Sequence, residues 1–187
     1  MADFSIISDV SNQILKFLRE SICPELIQSP EALILTSPTD KKSDYQMGIY
    51  LYDIQELREY QSREMINVRS GSAQYPPKPL TLFYAAYINS KAQMMSSSDN
   101  EQRILGRTIQ ALMDKGTLED VTGENGEPAS ITLLQMSFEE KSKIWSTLNE
   151  PYQLAIYFSV SPALLSSRRV RTFQRVVSAD FNVQTKQ

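Results

Sequence analysis

The sequence predicts an α/β (α+β) fold in one domain, a mixed β-sheet of about five or six strands flanked by three helices. Three observations carry this expectation. Apolar residues recur at three- and four-residue spacing from Ile6 to Ile22. Two dense apolar and β-branched runs, Gly48 to Ile54 and Leu80 to Ile88, have the length and content of core strands. Proline, glycine and asparagine interrupt the remainder often enough to leave room for shorter strands and two more helices. The expected domain covers residues 1–187, with residues 58–79 as an extended loop or arm and 180–187 as a polar tail.

Asp3 is placed to cap a helix beginning at Phe4. Its apolar stripe is Ile6, Ile7, Val10, Ile14, Leu15, Phe17, Leu18 and Ile22, and Asp9, Asn12, Gln13, Lys16 and Arg19 form the polar face. Pro24 ends it, because proline has no backbone donor and crowds the preceding turn. Ala32 to Thr36 reads as a short buried strand and Ser37 to Gln46 as a loop. Met47 to Leu57 reads as a strand buried on both faces at first and alternating later. Arg58 to Lys78 is polar, with Gly71, Pro76 and Pro77, and fits either a loop or a hairpin arm. Leu80 to Ile88 is the strongest core strand.

Ser98 or Asp99 is expected to cap a helix to about Lys115, with Ile104, Leu105, Thr108, Leu112 and Met113 as its apolar face. Thr117 to Pro128 is acidic and turn-rich, and its Asn125-Gly126 pair marks a hairpin tip before a strand from Ile131 to Met136. Ser137 and Glu140 form a capping box for a short helix containing Ile144, Trp145 and Leu148, closed by Pro151. Tyr152 to Val160 is a strand with Leu154, Ile156 and Phe158 on one face, broken by Ser161-Pro162. Val170 to Val177 is the last strand.

Composition narrows the chemistry. The chain has 41% hydrophobic and 22% charged residues, as soluble globular domains do. It has no histidine and one cysteine, Cys23, which removes the commonest general base and every Cys/His zinc set. A lone cysteine makes no internal disulfide and fits a reducing compartment. The opening residues lack a basic signal region, and no apolar run approaches the roughly 20 residues of a membrane helix. A soluble protein made without export is expected.

No glycine-rich phosphate loop is present. Glu119, Asp120, Glu124 and Glu127 lack calcium-loop spacing and read as a solvated hairpin tip. No serine lies in a Gly-x-Ser-x-Gly motif. Tyr50, Tyr52, Tyr84, Tyr87, Tyr152 and Tyr157 fall in the expected core strands, without the basic surroundings that base stacking requires. No cofactor and no metal site are expected, and no enzymatic activity.

Charge is unevenly placed. Residues 164–187 carry four arginines and one lysine against Asp180, a local +4, which leaves −7 elsewhere in a chain of net charge −3. Alternation in a strand from Arg169 puts Arg169, Arg171 and Arg175 on one face. That face is either a solvated, charge-protected sheet edge or a contact with acidic groups of another protein surface. Net acidity makes DNA the weaker choice.

Several collinear stretches together resemble a known family. They are Phe4 to Ser11, Gly48 to Ile54, the Pro76-Pro77-x-Pro79-Leu80 approach to Leu82-Phe83-Tyr84, the segment Glu101 to Leu112, and Trp145-x-x-Leu148 with Tyr152 to Pro162. Their order and spacing resemble the cap, or tail-terminator, proteins of extracellular contractile injection systems of the antifeeding-prophage and virulence-cassette type. The resemblance implies a fold similar to phage tail terminators and a homohexameric ring that ends tube and sheath polymerisation. It also implies inner-tube and sheath partners, cytoplasmic assembly into a released or intracellular particle, and no nucleic acid, membrane or cofactor. Some members are longer at the C-terminus, so any role of such an extension is expected to be missing here. On this reading Arg58, Arg63 and Arg69 of the arm and Arg169, Arg171 and Arg175 of the last strand are candidate interface residues. The alternatives are another particle component (tube, baseplate or adaptor subunit) or, from a different class, a small enzyme or regulatory binding protein.

Overall fold

A computed structural model describes residues 4–40, 44–58, 65–69, 72–89, 92, 97–119 and 128–172. In chain order the elements are α1 (Ile6–Ile22), a 3-10 turn (Pro30–Ala32), β1 (Leu33–Leu35), β2 (Met47–Glu56), β3 (Ile66–Arg69), β4 (Ser72–Gln74) and β5 (Lys78–Ile88). Then come α2 (Ser98–Lys115), β6 (Thr117–Leu118), β7 (Ala129–Leu133), α3 (Phe138–Thr147), β8 (Ala155–Leu165) and β9 (Val170–Thr172). A six-stranded sheet has the order β1-β2-β5-β8-β7-β6, and a smaller sheet the order β3-β4-β9. The larger sheet is mixed: β1 runs parallel to β2, and every other pairing is antiparallel.

Side-chain alternation along β5 and β8 splits the core between the two faces. Leu82, Tyr84, Ala86, Phe158 and Val160 join α1 and α2 through Ile6, Val10, Ile14, Leu18, Ile104 and Leu112. Each such side chain removed from water contributes roughly 1.5–3 kcal/mol. The opposite face holds a smaller aromatic cluster of Tyr45, Tyr87, Trp145 and Tyr157, which docks α3. Ser11, Tyr84, Trp145 and Tyr157 have polar partners inside these layers, whereas the buried Oε1 atoms of Gln46 and Gln153 have none. Ser11 Oγ donates to the Ile7 carbonyl at 2.9 Å, so at the 2.9 Å contact with Tyr84 it is the phenol that donates. The Trp145 indole donates to Tyr157 Oη at 2.9 Å. At the sheet edge, Arg19 Nε and Nη2 donate to the outer carbonyl of Leu33 at 3.0 and 2.8 Å, covering part of β1 with a helix side chain.

Several expectations are met. In the stripe of α1, Ile6, Val10, Ile14, Leu18 and Ile22 are buried and Ile7, Leu15 and Phe17 partly so, and the helix stops at Cys23 before Pro24. The Ser137–Glu140 capping box forms in both directions. Within residues 58–79, β3 and β4 pair antiparallel, and β4 also pairs with β9, so the described part of that segment belongs to a three-stranded sheet.

Others need correction. Helix α1 starts at Ile6 rather than Phe4: Ser5 Oγ donates to the Asp9 carboxylate at 2.7 Å, and Phe4 is exposed. The cap of α2 is Ser97, whose hydroxyl accepts from the Asn100 amide. Met113 lies off the buried face of α2 at 66% exposure, and Ala111 takes the core position. The second half of β2 is exposed on both faces instead of alternating, because it runs past the layers that cover the sheet. Strand β7 is Ala129–Leu133, two residues earlier than expected at its start and three at its end. Helix α3 ends at Thr147, with Asn149 at φ 54° turning the chain before Pro151 is reached. Tyr152 and Leu154 precede β8 and are exposed. Ser161-Pro162 does not break β8. Leu80 pairs with Ala163 and Leu82 with Val160, so Ser161 and Pro162 together face Thr81 in a bulge, where a missing amide proton costs no ladder bond. The Asp3 cap, the Gly123–Gly126 tip and the last strand beyond Thr172 lie outside the described residues.

The buried phenols predict an alkaline limit to stability. Burial pushes Tyr84 up to about 12, does the same at half-buried Tyr52, and raises Tyr87 and Tyr157 as well. An unfolded chain ionises its tyrosines near pH 10, so above that pH the unfolded state binds fewer protons than the fold. Stability is therefore full below about pH 10 and falls as pH rises toward 12. Denaturant midpoints measured alongside tyrosinate absorbance should show late ionisation coinciding with unfolding. Full ionisation near pH 10 with an unchanged midpoint would contradict this.

Candidate protein interface

The small sheet gathers part of the basic set. In β4–β9, Ser72 pairs with Thr172, Ala73 with Arg171 and Gln74 with Val170, while the Tyr75 amide donates to the Arg169 carbonyl at 3.1 Å. Gln74 Nε2 donates to the Ser167 carbonyl, tying the turn before β9 to the arm. Arg169 therefore comes beside Tyr75, and its guanidinium carbon lies over that ring, 4.8 Å from the centroid. Arg168 lies over the Phe4 ring at 5.6 Å.

Beside β9 is a cleft of about 400 Å³ lined by Tyr75, Pro76, Pro77, Pro79, Leu165 and Arg169, with Lys78 and Glu56 at its rim. Lys78 Nζ pairs with Glu56 at 3.2 Å. Arg169 and Arg171 are both exposed. Among the described residues no carboxylate lies within ion-pair distance of either. Arg58 is exposed just past β2. Arg69 pairs by register with Ser72 on β4. Arg63 and Arg175 lie outside the described residues. Of the six arginines, Arg169 lines the cleft, and Arg171 lies two residues further along the chain in β9.

Sequence reading missed Tyr75 and Phe4 as ring partners of these cations. Tyr75 could be seen as an aromatic before Pro76-Pro77, but which arginine it meets is decided by β4–β9 pairing. Also missed was an apolar surface outside the small sheet, where the exposed Phe138 and Tyr152 rings meet at 5.0 Å near exposed Leu154.

Features of reactive sites are weak. Burial pushes the Cys23 thiol up, away from the thiolate that nucleophilic chemistry uses. Among the described residues no group of three or more Cys, Asp or Glu could hold a metal ion. No helix among them is long and apolar enough to cross a membrane. The expected core tyrosines are otherwise accounted for: Tyr84, Tyr87 and Tyr157 are buried, and Tyr50 and Tyr52 are partly so.

Comparison with known proteins adds the fold's relatives. The sequence profile described as the Pvc16 N-terminal domain matches residues 9–179. Two solved structures match closely in shape. One is a PVC sheath/tube terminator in the extended state, from an extracellular contractile injection system, with TM-score 0.69 and 18% identity over 100% of this chain. The other is the anti-feeding prophage cap, a tube-terminating cap, with TM-score 0.68 and 18% identity over 94% of this chain. This chain spans 66% and 61% of the lengths of those two proteins. Comparison with curated protein sequences gives no match.

Proposed function

Because the chain belongs to the Pvc16 N-terminal domain family, we propose that it is the structural cap of a contractile, phage-tail-like injection particle. It assembles as a homohexameric ring on the last tube and sheath layers and ends their polymerisation. The observation carrying this reading is the fold match to two terminating caps across all or nearly all of the chain. The residues suit the task. The chain has no histidine, and its distinctive groups are exposed cations lying over aromatic rings beside a small sheet. Such groups join protein surfaces more readily than they make bonds. Arg58, Arg63, Arg69, Arg169, Arg171 and Arg175 are the proposed contact set. Assembly takes place in the cytoplasm, and the cap acts as part of the particle, without catalysis or cofactor.

A cap must present one surface that joins the growing tail and another that no further layer can use. Closure into a ring follows when a head-to-tail contact completes a cycle instead of continuing a filament. Particles produced without this gene test the proposal by electron microscopy. Overlong or unstable tails are expected. Tails of normal length and stability would overturn it, and the absence of any tail would point to a baseplate part.

A further inference from the structure

We infer that the cation-rimmed cleft beside β9 is one half of a head-to-tail contact between copies of this chain, receiving carboxylates from the acidic body of a second copy. The inference rests on the ring reading above and assigns its contact chemistry. A guanidinium lying over a ring engages that ring with its face, so its in-plane N–H groups remain available to a carboxylate. The Arg169 guanidinium carbon lies over the Tyr75 ring, 4.8 Å from its centroid. Arg171 follows two residues later on the same strand face, about 7 Å along the strand. Neither has a carboxylate partner among the described residues, and the carboxylate at the cleft rim, Glu56, is paired to Lys78.

The floor of the cleft is Tyr75, prolines and Leu165. Once a partner covers the cleft, its apolar walls exclude water beside Arg169, which strengthens the attraction for an incoming acid. The occupant follows from charge. Residues 164–187 carry +4 and the rest of the chain −7, so a second copy supplies the complementary sign. A basic face meeting a different, acidic face is a heterologous contact, the kind that closes rings. Holding Arg169 on a ring in the free chain also lowers the entropy cost of ordering it on association.

The test compares the purified chain with R169E/R171E by sedimentation across salt concentrations from about 50 to about 500 mM, a range that shortens the screening length severalfold. The unaltered chain should form a species larger than a monomer that dissociates as salt rises. Charge reversal should weaken association at least about tenfold. Both substituted residues are exposed, so the thermal midpoint should stay nearly unchanged. The variant keeps its acidic face, so adding it below stoichiometry should lower the mass of assemblies formed by the unaltered chain. Association equal to that of the unaltered chain, insensitivity to salt, or an unaltered chain that remains monomeric would each overturn the inference. Intact variant rings that fail to seat on tails would also overturn it, by assigning the cleft to a tube or sheath protein. The deletion experiment is independent. Normal tails there remove the cap reading, whereas overlong tails with intact R169E/R171E rings remove only this contact.

Discussion

Gly48→Val is expected to lower the unfolding free energy by about 3 kcal/mol, at the upper end of what overpacking a well-filled core costs. Gly48 on β2 pairs across the sheet with Tyr87 on β5, and the Tyr87 ring occupies the space a side chain would need. A Cβ at Gly48 would meet Tyr87 Cζ and Oη at 2.5 Å and Cε1 at 2.7 Å. The ring cannot swing away cheaply. Its hydroxyl is hydrogen-bonded to Tyr45 Oη at 2.8 Å, and the Trp145 indole stands edge-on to it at 5.6 Å. A double-mutant cycle with Gly48→Ala and Tyr87→Leu isolates the cause. Removing the ring should relieve the clash, giving a favourable coupling of about 1–3 kcal/mol in denaturant titrations. Strictly additive effects would show that the clash is not the source of the loss.

Trp145→Ala should cost about 3–5 kcal/mol, the range for deleting a buried large aromatic. Helix α3 has ten residues, and Trp145 is its one fully buried side chain. A helix that short is marginal alone and depends on its docked face. Truncation also leaves Tyr157 Oη without the indole donor and strips Tyr87 of its edge contact. Trp145→Phe keeps most of the apolar anchor and should lose less, about 1–3 kcal/mol, chiefly from the missing hydrogen bond. Thermal midpoints order the three proteins, and amide exchange in residues 138–147 should accelerate most in the alanine variant. Equal midpoints for alanine and phenylalanine would mean that packing is not what holds α3. Trp145 is the chain's single tryptophan, so its fluorescence reports the same docking directly.

The two sites differ in how far each could be read in advance. Trp145 is legible as a helix anchor because it follows a capping box and stands three residues before Leu148, a helical spacing. Gly48 is not, since a glycine inside a strand gives no sign of which ring will cover it. At the interface, alternation alone put Arg169 and Arg171 on one strand face, and β4–β9 pairing is consistent with that placement. The Tyr75 ring under Arg169 required knowing that β9 returns beside β4, far away in sequence.

By itself the sequence determined the elements: the stripe of α1, the capping box of α3, the two core strands, and a fold class of mixed sheet with three helices. These are local matters, governed by side-chain period, capping chemistry and backbone donors within a few residues. Only the tertiary structure decided that Pro162 sits in a bulge within an eleven-residue strand, that Met113 and Leu154 face outward, and that Tyr75 lies under Arg169. Those outcomes depend on register and on which neighbour fills each volume, and contacts between distant residues leave no periodic trace in the chain.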